Sequence, residues 1–194
     1  MMMTMASDQQ RKRLHPHKFT LWVAMASIVM MFAGFTSAYI VKKAASNWLE
    51  FRLPPAFWYS TFVILLSSLT IHLAVKAFKA RAMARYRVLI TVTAVLGLTF
   101  AVLQITGFNW LSARGVQLIG QGSNAAGSFL GVITGVHILH VLGGVVALLV
   151  MFFRAFSSKS KNYNSTNIEI AATYWHFVDG LWIYLFIFFI WAAN

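Results

Sequence analysis

Two pairs of polar residues inside otherwise apolar sequence hold whatever chemistry this chain can do. Tyr174-Trp175-His176-Phe177-Val178-Asp179 lies in an apolar run that ends at Ala192, and Thr134-Gly135-Val136-His137-Ile138-Leu139-His140 lies in another. His176 and Asp179 are three residues apart, as are His137 and His140, so in helices each pair shares one face. Imidazoles on facing membrane helices can ligate haem or a metal, and an imidazole beside a carboxylate can carry protons. The same side chains can instead hydrogen-bond across a bundle interior. A carboxylate in hydrocarbon costs at least ~2.5 kcal/mol even on lenient insertion scales, so Asp179 has to face protein or water, or be protonated.

The composition says what surrounds these groups. Of 194 residues, 59% are hydrophobic and only four are acidic (Asp8, Glu50, Glu169, Asp179), which leaves too little polar surface for a water-soluble domain. The formal net charge of +12 comes from 16 Lys and Arg in short clusters between apolar runs. Clusters placed in this way set membrane orientation, and no nucleic-acid partner is expected. With no cysteine, disulfides, thiolate metal sites and cysteine nucleophiles are excluded together.

The expected fold class is all-α, an integral membrane bundle of five transmembrane helices. A basic tail, residues 1–18, precedes one membrane domain, 19–194, with spans at about 19–41, 55–75, 88–107, 127–153 and 170–192. The first run is too long for the apolar region of a secretory signal and is read as a retained helix. Pro54-Pro55 suits the start of the second span. Lys76, Lys79, Arg81, Arg85 and Arg87 close the second span, and the Gly/Ser/Asn-rich stretch from Phe108 to Ala126 reads as a loop. Twelve of the sixteen basic residues fall on the side of the N-terminus, so the N-terminus is expected inside, on the cytoplasmic side. Gly127, Gly131 and Gly135, with Gly143 and Gly144 further on, read as small residues that let helices approach closely.

Helix rise gives relative depth. His140 lies about 21 Å above Arg154 at the basic end of the fourth span, and Asp179 and His176 lie about 15 Å and 10 Å above Glu169 at the same end of the fifth. Contact between His140 and Asp179 would bury both economically, whereas a haem shared by His140 and His176 would be poorly placed. Glu169 falls at the membrane edge. His72, near the basic end of the second span, reads as interfacial.

The residues of these spans resemble subunit III of the haem-copper oxidases, the cytochrome c and quinol oxidase family. The likeness rests on Glu169-x6-His176-Phe177-Val178-Asp179 with Tyr174-Trp175 and Trp182, and on Gly127-Ser128-Phe129 leading into Thr134-Gly135-Val136-His137-x-x-His140-Val141-x-x-Gly144. Leu53-Pro54, Leu65-Leu66-Ser67-Ser68 and Leu96-Gly97-x-x-Phe100-x-x-x-Gln104 extend it. Five helices are similar to the short bacterial form. The resemblance implies an accessory subunit of a proton-pumping terminal respiratory oxidase, a complex that transfers electrons to O2. It implies a chain with no catalytic or metal residues and no bound cofactor of its own, lying against subunit I with subunit II and other oxidase subunits nearby. Haem and copper are expected in those partners, and structural phospholipids on this chain. The family supports proton uptake by subunit I, and membership of a respiratory supercomplex stays open. Arg154 resembles a family arginine that contacts a lipid phosphate, or is a plain positive-inside charge.

Two positions depart from the family. Ile28, in Ser27-Ile28-Val29-Met30-Met31-Phe32, stands where a membrane-buried glutamate is usual, and Gly107 stands where an acid usually follows Gln104. Roles tied to those acids do not carry over. The competing readings are a stand-alone membrane cytochrome b built on His137, His140 and His176, and a small proton or solute transporter built on the His/Asp face.

Overall fold

The computed structural model describes residues 16–44, 48, 52–118, 120, 123–156 and 165–193. They form five helices, α1 (Pro16–Lys43), α2 (Pro55–Lys79), α3 (Met83–Ser112), α4 (Ala125–Phe156) and α5 (Ser165–Ala193). All five are long and apolar enough to cross a bilayer. Their apolar faces are nearly continuous because hydrocarbon, not water, is the solvent outside, and backbone groups must be satisfied within each helix.

Local chemistry sets the ends. Pro55 opens α2, where its missing N–H would have been unpaired anyway, and Phe57 N–H returns to Pro54 O at 3.1 Å. The basic segment from Lys76 to Arg87 is mostly helical, broken only by the turn Ala80–Ala82. There Arg81, at φ 58°, takes the left-handed position usually given to glycine. Its N–H bonds Phe78 O and that of Ala82 bonds Ala77 O, each at 3.0 Å, which satisfies the last carbonyls of α2. Gly115, at φ 82°, closes the end of α3 in the same way, with Val116 N–H on Leu111 O at 3.1 Å and both side chains buried. Asn124 opens α4, its side-chain oxygen accepting Ala126 N–H at 2.9 Å.

The stretch Phe108–Ser112, expected as loop, is the last part of α3. Leu111 is buried there and carries the helix past its apolar window, and Arg114 lies 3.6 Å over the Trp110 ring just beyond.

Helices α2, α3, α4 and α5 form a ring in which each packs on the next and α5 closes back on α2; α1 lies outside it, against α4 and α5 alone. The first ends of α1 and α5 meet the last end of α2, since Glu169 bridges Lys18 and Lys79 at 3.2 Å and 3.0 Å. At the opposite end Lys43 Nζ donates to Ala192 O at 2.6 Å.

The ring is keyed by Trp175. Its indole lies in a slot where Gly97 of α3 and Gly144 of α4 leave room, and its N–H donates to Ser67 Oγ of α2 at 2.8 Å. A Cβ on Gly97 would stand 2.7 Å from the Trp175 ring, and one on Gly144 3.0 Å away. The other α4 glycines act differently from the expected stripe. Gly127 and Gly131 face Val116–Leu118, the segment leading into α4, and a Cβ on Gly135 or Gly143 would meet nothing within 4 Å. Small residues there accommodate a returning strand of chain rather than a neighbouring helix.

Gly97→Ala is therefore expected to lower stability by about 1–3 kcal/mol through overpacking, whereas Gly34→Ala, which meets nothing within 4 Å, should be neutral or slightly stabilising. Thermal unfolding of the two purified variants in detergent reads the difference, and equal losses would show that the slot does not set the fit.

Candidate functional site

The candidate site is the polar face of α5 and the hydroxyls of α2 that meet it. Along α5, Trp175, Asp179 and Trp182 point into the ring and are buried. His176 is turned toward the side where α1 and α2 flank α5 and is half-buried. The facing side of α2 carries Ser60, Thr61, Ser67 and Ser68, two pairs seven residues apart, which is two helical turns. The indoles of α5, also seven apart, fit this ladder in the opposite direction. Trp175 N–H donates to Ser67 Oγ, and Trp182 N–H donates to Thr61 Oγ1 at 3.0 Å.

Asp179 is 3% exposed. Ser68 lies against its carboxyl, while the Oδ2 oxygen has no hydrogen-bond partner. The same Ser68 Oγ lies 2.7 Å from His176 Nδ1, so one hydroxyl joins the two polar groups of α5. On the exposed side of α2, the His72 ring lies 6.3 Å from that of His176. Glu169 sits between its two lysines, Lys18 and Lys79.

The α4 histidines go elsewhere. His137 is fully buried, stacked on Trp182 at 5.4 Å with its edge toward Phe100, and neither ring nitrogen has a partner. His140 is half-buried beside Phe32, and its Nδ1–H donates to Val136 O of its own helix at 2.7 Å. The expected His140–Asp179 contact is thus not formed: Asp179 lies against Ser68, and His140 bonds Val136. The depth estimate fixed height but not azimuth: α4 turns His137 inward and His140 toward α1. Arg154 lies in α4, but its side chain is outside the described residues.

Buried polar atoms left without partners are uncommon in folded proteins. Here Thr134 Oγ1 and Gln104 Oε1 join His137 and Asp179 Oδ2 among them, with Gln104 Nε2 donating to Ser60 Oγ at 2.7 Å. Among the described residues, no three of His, Asp and Glu converge in a group that could hold a metal ion. The site as built can hold hydrogen bonds and move protons. Its imidazoles do not converge as a ligand pair: His137 is boxed by rings, His140 is bound to its own helix, and His176 is tied to α2.

Sequence reasoning missed Ser67 and Ser68 as partners of α5, although they lie inside the stretch Leu65-Leu66-Ser67-Ser68. The seven-residue spacing of hydroxyls along α2, matched by that of the indoles along α5, was the available signal.

The family described as "Cytochrome c oxidase subunit III" matches residues 17–194. A Mycobacterium bovis protein named "Probable cytochrome c oxidase subunit 3" is 33% identical over 170 residues, covering 84% of this chain and 82% of the relative. A Corynebacterium diphtheriae protein named "Cytochrome c oxidase subunit 3" is 31% identical over 85% of this chain and 82% of its own length. One from Bacillus sp. strain PS3 with the same name is 26% identical over 85% and 80%. The match takes in all five helices, including the α5 face and the α2 and α3 residues that meet it, so this multi-pass membrane chain belongs to the cytochrome c oxidase subunit III family.

Proposed function

We propose that the chain acts as accessory subunit III of a proton-pumping terminal oxidase. It lies against the catalytic subunit I, with subunit II and other subunits in the same complex, and supports proton uptake there while holding structural phospholipids. The electrons pass through haem and copper in the partner subunits. In this reading the N-terminus and the Lys18–Glu169–Lys79 cluster face the cytoplasm across the bacterial inner membrane.

The observation that carries a non-redox role is the employment of the buried imidazoles. A stand-alone cytochrome b needs two of them opposed across a haem, but His137 is walled in by Trp182, Phe100 and Phe32. His140 and His176 are each turned to a different neighbour. A transporter reading gains nothing from α4 or α5, which run unbroken through the membrane.

The chain purified alone is expected to show no stoichiometric Soret band after detergent washing, and a retained band would overturn the accessory reading. In the assembled oxidase, His137→Leu should leave the optical spectrum unchanged. It should not lower thermal stability, because it removes two unpaired polar atoms from an apolar box. A loss of haem absorbance in that variant would assign the histidine to ligation.

Topology is testable because the chain has no cysteine of its own. A single cysteine introduced as Ala80→Cys, in the turn between α2 and α3, should react with a membrane-impermeant maleimide from the cytoplasmic side only. Labelling from outside would reverse the orientation.

A further inference from the structure

We propose that the groove between α1 and α2 is a proton entry that places Asp179 in exchange with the basic end of the bundle through His176 and Ser68. The groove exists because the backbones of α1 and α2 stay apart. Each packs on α5 and leaves a slot floored by it, about 380 Å³ in volume and lined by Lys18, Trp22, His72, Glu169, Thr173 and His176. Its mouth is charged, with Glu169 between Lys18 and Lys79 and all three side chains partly exposed. Its inner end is the His176 ring, and from there the Ser68 hydroxyl leads to a carboxyl that is 3% exposed.

Every link in this series both gives and takes a proton. Imidazole has two nitrogens, one able to accept while the other donates, and a hydroxyl has one proton and two lone pairs. A proton arriving from groove water forms a bond at His176 Nε2. The Nδ1–H bond breaks as its proton passes to Ser68 Oγ, and the original Ser68 O–H proton passes to Asp179. The net change is one proton taken from the basic end and one carboxylate made a carboxylic acid; rotation of the ring resets the relay.

The series ends at Asp179. Beyond it the face of α5 continues as Trp182, whose N–H is committed to Thr61, and as Phe186. The arrangement is a one-proton well open at one end. The titratable groups around it are Lys18 from α1, His72 and Lys79 from α2, His137 and His140 from α4, and Glu169 and His176 from α5 itself; α3 meets this face of α5 with Gly97 and Phe100, which carry no charge. Among the described residues, the groove leads toward Asp179 through His176 and Ser68, which are hydrogen-bonded to each other. A carboxyl kept solely for helix packing needs no such opening.

The test uses the full chain in oriented proteoliposomes and the infrared C=O stretch of a protonated carboxyl, assigned by its loss in Asp179→Asn. Exchange of its proton is followed after D2O is applied to one side. Wild-type exchange is expected to be fast from the basic end, and Ser68→Ala and His176→Ala are each expected to slow it at least about tenfold while retaining the band. Added imidazole, small enough to enter the groove, should restore the rate in His176→Ala. Ser67→Ala, which breaks the Trp175 bond beside the relay, should cost stability but leave the rate unchanged. Unchanged exchange in Ser68→Ala and His176→Ala, equal slowing in Ser67→Ala, or the absence of any band removed by Asp179→Asn would overturn the proposal. So would equal exchange from both sides. If D2O acts from the basic end but cysteine labelling places that end outside, the orientation fails and the relay stands.

Discussion

A membrane bundle gets no hydrophobic drive from pushing helices together, because lipid is as apolar as leucine; what remains is close fit and interhelical hydrogen bonds. In this chain both converge on Trp175. A large planar ring fills the gap between α3 and α4 only because Gly97 and Gly144 vacate it, and its one polar atom is met by Ser67. Interhelical hydrogen bonds in membranes average only about 0.6 kcal/mol, so the bond to Ser67 orients the ring more than it holds the bundle. The dispersion contacts of a ring that loses no fit on any side supply the larger share. Trp182 repeats the device two turns along, bonded to Thr61 and surrounded by Phe57, Phe100 and His137. Ser67 on α2, Gly97 and Phe100 on α3 and His137 on α4, which carry part of the family likeness, also form this mould.

The same fit explains one departure from the family pattern. Where an acid usually follows Gln104, Gly107 lies against the Phe57 ring, so that even a Cβ would come within 2.7 Å of it. An acidic side chain has no room there, and Gln104 spends its amide on Ser60 instead. On α1, Ile28 takes the place of the usual glutamate and packs against the core as an apolar residue. Among the described residues Asp179 is then the one carboxyl deep in the membrane, and its partner comes from α2 rather than from the histidine pair of α4.

Five spans and the polar face of α5 were legible in the sequence because hydropathy and charge measure the transfer of side chains between water and lipid. The ends of the helices were not, since they depend on backbone hydrogen bonding: α3 runs on to Ser112, and Lys76 to Arg87 is helix on both sides of a three-residue turn. Azimuth was the other gap. Rise along an axis places His140 and Asp179 at comparable heights but leaves the rotation of α4 free, and that rotation is decided by which ring stacks on Trp182. His137 stacks better inside, so His140 falls outside the ring and bonds its own carbonyl. Gly127 and Gly131 were misread for a related reason: a stripe of small residues says that something comes close but not what, and here it is the segment Val116–Leu118.

α1 stands apart from the ring, and its attachment determines the groove. It is tied to α5 at three heights: Lys18 on Glu169 at the basic end, Thr36 on the Tyr184 hydroxyl at 2.9 Å in the middle, and Lys43 on Ala192 O at the far end. None of these ties is a deep packing slot like that of Trp175, and most of the α1 surface, including Trp22, Val29 and Met30, is exposed. Ion pairs at an exposed edge contribute little in water, so Thr36 and the Phe32 and Tyr39 rings must fix the tilt of the helix. Because α1 leans on α5 and α4 while α2 leans on α5 and α3, the two diverge, and the gap between them opens over His176 and not over Trp175. The gap at the basic end therefore reaches His176, the half-buried member of the polar face, and not the keyed indole, so one helix carries both the lock of the bundle and the floor of the groove.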